Sequence, residues 1–272
     1  MKNEYLPGKI ILFAVLLATL FSGCQKHKNL SIRPVTVRVD SLSQVVLVTD
    51  SIVKPFLYTH VSGLDRLTTR RSKAVFVSVL LPSILVARHQ IDVNRSRIEL
   101  LNTKAEWSVD DSVFYLGLKK RYKATSVTNL LARMISLPNS IVLAQAAIES
   151  GWGQSRFFLE ANNVFGIWSY RKHEPRILAR KKRNKKAIYV RRYDNTSQSI
   201  IDYFETLGSA KSYHTLRKAH WETKDPFDLI PHLKNYSERR TYYTAQLKRL
   251  IVANNLTRYD HYQLDPEYFV ED

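Results

Sequence analysis

The chain has 272 residues, 44% of them hydrophobic and 11% aromatic, which excludes a disordered polymer and leaves ample length for a core in one or two domains. A net charge of +18 draws anionic polymers or anionic lipid headgroups but does not choose among nucleic acid, acidic glycans and peptide-bearing cell-wall strands. The single cysteine excludes an intrachain disulfide.

At the N-terminus, Lys2 and Lys9 precede an apolar run from Ile10 to Phe21, closed by Ser22-Gly23-Cys24. This pattern predicts a secretory signal, too short for a comfortable membrane span. Cys24 directly after two small residues resembles a bacterial lipoprotein signal, which implies cleavage before Cys24 and a lipid on its sulfur. Phe21 stands where such signals prefer Leu. An exported chain is also an improbable binder of nucleic acid, so none is expected as a partner. Residues 25–33 read as a polar tether, and Val35, Val37, Val39 and the Val45–Val48 run predict one or two short strands.

Helical patterning starts at Ala74. Residues 74–87 are strongly apolar, but the run has only 14 residues and contains Pro82. It predicts a buried helix, kinked or restarted at the proline. Helices are expected at 92–105 and 111–123, the latter with Val113, Leu116, Leu118 and Tyr122 on one face. A short helix at Thr128–Ile135 ends at Leu137-Pro138. Asn139 or Ser140 is placed to cap the next helix, which runs to Ser150 and stops at Gly151, the expected left-handed residue.

That helix ends on Glu149. A helix C-terminus carries partial negative charge, and Trp152, Phe165 and Trp168 are expected to form an apolar wall. Both effects raise a carboxyl pKa. A neutral carboxylic acid is what a glycosidic oxygen needs to leave as its bond breaks, so Glu149 reads as a general acid for glycoside chemistry.

Helix is expected at 154–161, a turn at Asn162–Gly166 and a strand from Ile167 to Tyr170. Residues 171–192 hold eleven lysines and arginines and one acid, Glu174, and with Ala187–Val190 as a returning strand they predict a basic β-hairpin. Asn195 or Thr196 caps a helix bearing Ile200, Phe204 and Leu207. Further helices run to about Asn254. The eight histidines lack metal-ligand spacing; His173-Glu174 has no second His at zincin spacing. No metal or cofactor is expected, and no phosphate loop or nucleophile elbow occurs.

Several ordered blocks carry a resemblance to a known family. Gln145 to Ser155 (QAAIESGWGQS), Asn162 to Ile167 (NNVFGI), Arg192-Tyr193-Asp194 with Ser199 to Tyr203, and Tyr236-Ser237-Glu238-Arg239 with Tyr243 resemble bacterial β-N-acetylglucosaminidases of glycoside hydrolase family 73. Leu80 to Leu85 and the Arg-rich stretch after it resemble a subgroup with an extra N-terminal helical region.

The resemblance implies a mainly α, lysozyme-like α+β fold with a small β-lobe. It implies cleavage of the β-1,4 bond between N-acetylglucosamine and N-acetylmuramic acid in peptidoglycan, with Glu149 as general acid. Tyr236 is implied at the cleft wall, positioning the sugar or a water. Trp152, Asn163, Phe165, Gly166, Trp168, Tyr193 and Tyr243 are the expected substrate-binding set. For a second carboxylate the lobe offers Glu174, with Asp194 and Asp202 as alternatives; assistance by the sugar's own acetamido group needs none. A lytic transglycosylase and a non-catalytic glycan-binding protein are the competing readings. The expected division is a signal at 1–24, a tether with short β segments at 25–73, a glucosaminidase domain with its helical extension at 74–264 (core about 127–258) and an acidic tail at 265–272. Glycan strands and, through Cys24, a membrane are the expected partners; the oligomeric state is left open.

Overall fold

The computed structural model describes residues 30–179 and 187–271. The signal-type segment, Cys24 and the start of the tether lie outside the described residues, as does the middle of the basic segment. In chain order the elements are β1 (Leu30–Ile32), β2 (Val35–Arg38), β3 (Ile52–Val53), β4 (Phe56–Thr59), α1 (Thr69–Leu101), α2 (Val109–Tyr122), α3 (Val127–Arg133), α4 (Asn139–Ser150) and α5 (Arg156–Ala161). There follow β5 (Trp168–Ser169), β6 (Arg176–Leu178), β7 (Tyr189–Arg191), α6 (Thr196–Ser209), α7 (His214–Glu222), α8 (Pro226–Leu229), α9 (Thr241–Ala253), β8 (Gln263–Leu264) and β9 (Phe269–Glu271). The fold is mainly α with a small β-lobe, as expected.

The central strut is α1. The two helices expected at 74–87 and 92–105 are one helix of 33 residues, which continues through Pro82. A mid-helix proline loses one backbone bond and costs about 3 kcal/mol in isolation. Here Val75 to Ala87 are buried on every side, and that packing outweighs the loss. By length and composition α1 could cross a membrane, but 78% of its most apolar window is buried inside the protein. It packs against α4 and α6, and Ser83 meets Thr196 of α6 through their hydroxyls at 2.7 Å.

Other local expectations shift. The Val45–Val48 run forms no strand, and Val46 and Leu47 are exposed. On α2, Leu118 and Tyr122 are buried, whereas Val113 and Leu116 point outward; Asp111 and Tyr115 complete the inward face. The segment expected to hold the tether and short strands meets the acidic tail in space. The strand β1 pairs antiparallel with β9, β3 pairs parallel with β8, and β2 pairs parallel with β4. Val39, Val53 and Leu57 therefore belong to the same hydrophobic core as the helices. The basic segment supplies the β-lobe, an antiparallel sheet of order β5-β7-β6.

Candidate active site

The helix α4 is buried from Asn139 to Ala147 and ends at Ser150. Gly151, Trp152 and Gly153 then take left-handed backbone conformations in succession, with φ of 58°, 57° and 80°. Only glycine fits at 153: a Cβ there would lie 2.8 Å from Leu64 and 3.1 Å from Phe76. The Ser150 hydroxyl donates to the Ala146 carbonyl and accepts from the Gly153 N–H at 2.9 Å, which pins the turn. Glu149 is thus held in the last turn of a rigid helix, half-buried at its rim.

Burial pushes the Glu149 carboxyl above the usual range, and the hydrogen bond from Tyr243 only partly opposes this. The Tyr243 hydroxyl donates to Glu149 Oε1 at 3.0 Å and accepts from Gln145 Nε2 at 2.9 Å. Gln145 Oε1 accepts from the Tyr203 hydroxyl at 2.5 Å. Gln145 lies one helical turn before Glu149, so both face α9, which carries Tyr243. The order of donors fixes the proton: with an amide N–H aimed at its oxygen, the Tyr243 hydroxyl has its own hydrogen left for Glu149 Oε1. An acid proton on Glu149 then sits on Oε2.

Around this relay stand more rings. Tyr236 stacks on Tyr243 with centroids 5.6 Å apart, and Phe165 stacks on Tyr203 at 4.2 Å. Burial, then the Glu149 charge, raises the phenols of Tyr236, Tyr243 and Tyr213, that of Tyr213 to about 12. These tyrosines stay neutral donors at any physiological pH.

The other expected residues are placed differently. Trp152 meets Phe76 edge-on at 5.3 Å, with the Lys73 ammonium 4.8 Å from its ring, so it anchors the turn to α1. Trp168 is 39% exposed on the lobe. Tyrosines of α6, α9 and the segment before α9 stand beside Glu149. Asn163 is buried with its amide committed: Nδ2 donates to the carbonyls of Ile167 and Arg191, and Oδ1 accepts from the Ile167 N–H. It clasps the lobe and keeps no donor for a sugar. Gly166 has φ +65° and open space where a side chain would be.

Tyr193 donates to Asp202 at 2.5 Å, and Asp202 also accepts from Arg191 at 2.6 Å. Glu174 forms an ion pair with the same Arg191 at 3.5 Å and accepts from the Arg171 N–H at 3.3 Å. Burial alone would raise its carboxyl; hydrogen bonds from Ser169, Arg171 and Tyr170 and the Arg191 charge outweigh it and hold the pKa below the ordinary value. Asp194 accepts from Gln198 at 3.2 Å beside the N-terminus of α6. The functional contacts missed by sequence reasoning are Gln145, Tyr203 and Tyr213. Gln145 had one signal, a lone long polar side chain one turn before Glu149 in an apolar helix. Among the described residues no three His, Cys, Asp or Glu side chains gather as metal ligands.

Residues 124–256 match the family model "Glucosaminidase", described as mannosyl-glycoprotein endo-beta-N-acetylglucosaminidase. Protein bax of Escherichia coli (strain K12) is 25% identical over 221 residues, covering 74% of this chain and 76% of that protein. Among solved structures, the catalytic domain of the autolysin Auto from Listeria monocytogenes is 23% identical, with a TM-score of 0.39 over 61% of this chain and 96% of that one. The glycoside hydrolase domain of FlgJ from Salmonella typhimurium is 25% identical, with a TM-score of 0.37 over 52% and 89%. The matched block holds Glu149, its whole tyrosine surround and the β-lobe, and residues 124–256 form a glucosaminidase-family domain.

Proposed function

We propose that this protein is a peptidoglycan hydrolase that cleaves the β-1,4 bond between N-acetylglucosamine and N-acetylmuramic acid, with Glu149 as the general acid. The observation that carries the reading is the Glu149 carboxyl itself, raised by burial at a helix C-terminus and pinned through Oε1 by Tyr243. Its Oε2 delivers the proton to the glycosidic oxygen as the bond to the anomeric carbon breaks. The +18 charge and the basic lobe suit a strand hung with acidic peptides. Lipidation at Cys24 would hold the enzyme to a membrane facing the cell wall.

The second step is best served by the sugar. Glu174, the one carboxylate between Gly166 and Tyr193, is tied to Arg191 and to its own turn and is a weak base. Attack by the substrate's acetamido oxygen on its anomeric carbon needs no protein base, and water then opens the cyclic intermediate. A lytic route, in which a muramic hydroxyl attacks instead, also uses one acid, and the product tells them apart. Peptidoglycan is digested with the purified chain, reduced with borohydride and read by mass spectrometry beside a Glu149→Gln control. Reduced N-acetylglucosamine ends, absent from the control, support the proposal. Anhydro-muramic ends, or equal digestion by the control, overturn it.

A further inference from the structure

The Tyr243 hydroxyl stands between two side chains of α4, Gln145 and Glu149, and has one hydrogen to give. An amide presents N–H donors on one side and a carbonyl acceptor on the other. A Gln145 carbonyl turned toward Tyr243 would take that hydrogen, and Glu149 would lose its donor. The order in the structure is the reverse. Gln145 Nε2 donates to Tyr243 at 2.9 Å, and the Tyr243 hydrogen goes to Glu149 Oε1 at 3.0 Å.

What keeps the amide this way round lies at its other end. Tyr203 on α6 donates to Gln145 Oε1 at 2.5 Å. Its ring is enclosed by Phe165, Phe204 and Tyr236, with centroids 4.2, 5.2 and 6.1 Å away. Tyr203 is 1% exposed and Gln145 0%, so bulk water reaches neither. Among the described residues Gln145 is the one hydrogen-bond partner of the Tyr203 hydroxyl. A turned amide would set its N–H donors against that hydroxyl and leave the phenol hydrogen buried without an acceptor, which is costly. The amide is locked from behind.

We propose that Tyr203 and Gln145 are a positioning pair that keeps the Tyr243 hydroxyl on Glu149 in both protonation states of the acid. The catalytic meaning rests on Glu149 being the acid proposed above. The bond that stabilises its anion is then in place before the proton leaves, and nothing has to reorient. Without the lock, neutral Glu149 can donate to Tyr243 while Tyr243 donates to a turned amide. That arrangement favours the protonated acid and raises its pKa. The titratable groups facing Glu149 are Tyr203 of α6, Tyr213 just after it, Tyr236 before α9 and Tyr243 of α9; all four phenols are raised and stay neutral.

The test is a 13C NMR titration of carboxyl-labelled glutamate in the full chain, with Glu149→Gln to assign the signal. Tyr203→Phe removes one hydroxyl, keeps the ring and should raise the Glu149 midpoint by about 0.5 pH unit or more. The same substitution should move nothing further in a Tyr243→Phe or a Gln145→Met background, because the path from Tyr203 to Glu149 is then cut. An unmoved midpoint in Tyr203→Phe overturns the proposal. So does an equal shift in either background, which would mean that Tyr203 acts on Glu149 directly. The titration needs no turnover: these shifts in a protein that cleaves no glycan would keep the positioning pair and strike the glycan reading alone.

Discussion

At Glu149 two opposed influences set one proton. Burial raises the carboxyl pKa above its ordinary value, while the Tyr243 hydroxyl stabilises the anion left after proton transfer. Removing the acid with Glu149→Gln should lower glycan cleavage by at least 10²–10⁴-fold, the usual worth of general acid catalysis. Thermal stability should hold or rise, because a half-buried ionisable group is replaced by a neutral one of the same shape. Tyr243→Phe deletes the bond that lowers the Glu149 pKa. The alkaline limb of the pH–rate profile should therefore move to higher pH, with a fall in kcat, and an unmoved limb would show that Tyr243 does not tune the acid. Glu149 was legible in the sequence because its helix, glycine stop and apolar flank are contiguous. Its partners were not, since Tyr203 and Tyr243 come from α6 and α9 and meet Gln145 only in the folded chain.

Among the elements, α4 shows how a local rule yields to tertiary structure. Asn139 and Ser140 were placed to cap it, yet both are inside the helix, and Pro138 at the cap makes no side-chain bond. Asp260, 120 residues away, supplies the missing acceptor to the Ser140 N–H. Asp260→Ala should destabilise the protein by roughly 1–2 kcal/mol in urea unfolding, the worth of a lost N-cap. At the other end, Gly153→Ala places a Cβ against Leu64 in a left-handed backbone and should cost about 1–3 kcal/mol. A change within 0.5 kcal/mol in either would mean that the site relaxes freely. The same contrast explains what was read correctly: Asn195 does cap α6, and Ile200, Phe204 and Leu207 do face the core, because those signals are local. The helix allowed to restart at Pro82 runs on instead, and the acidic tail pairs its β9 with β1, because the burial of α1 and that strand pairing are set by distant residues.

Over the whole molecule, one core spans the N-terminal strands, the helices and the C-terminal strands, so buried titratable groups far apart act on a single unfolding equilibrium. Two of them pull in opposite directions. Glu205 on α6 has its carboxyl raised to about 7, first by burial and against the Arg121 charge 3.3 Å away. Its folded pKa lies above its unfolded value, so its contribution is full below about pH 4.5 and is lost as pH rises through 7. His220 is lowered to about 3, chiefly by burial. The unfolded chain takes up that proton first, so His220 costs stability as pH falls from about 6.5 toward 3. Each is worth on the order of 3 kcal/mol when fully expressed. Between about pH 4.5 and 6.5 the two slopes oppose, and the native protein should show a shallow stability profile there. Glu205→Gln should unmask a rise in stability with pH across this window, and His220→Phe a fall. Urea unfolding at pH 4.5, 5.5 and 6.5 reads both signs. Parallel profiles in the two variants would mean that other groups govern the pH response, and that the charge balance around α1 is not held by this pair.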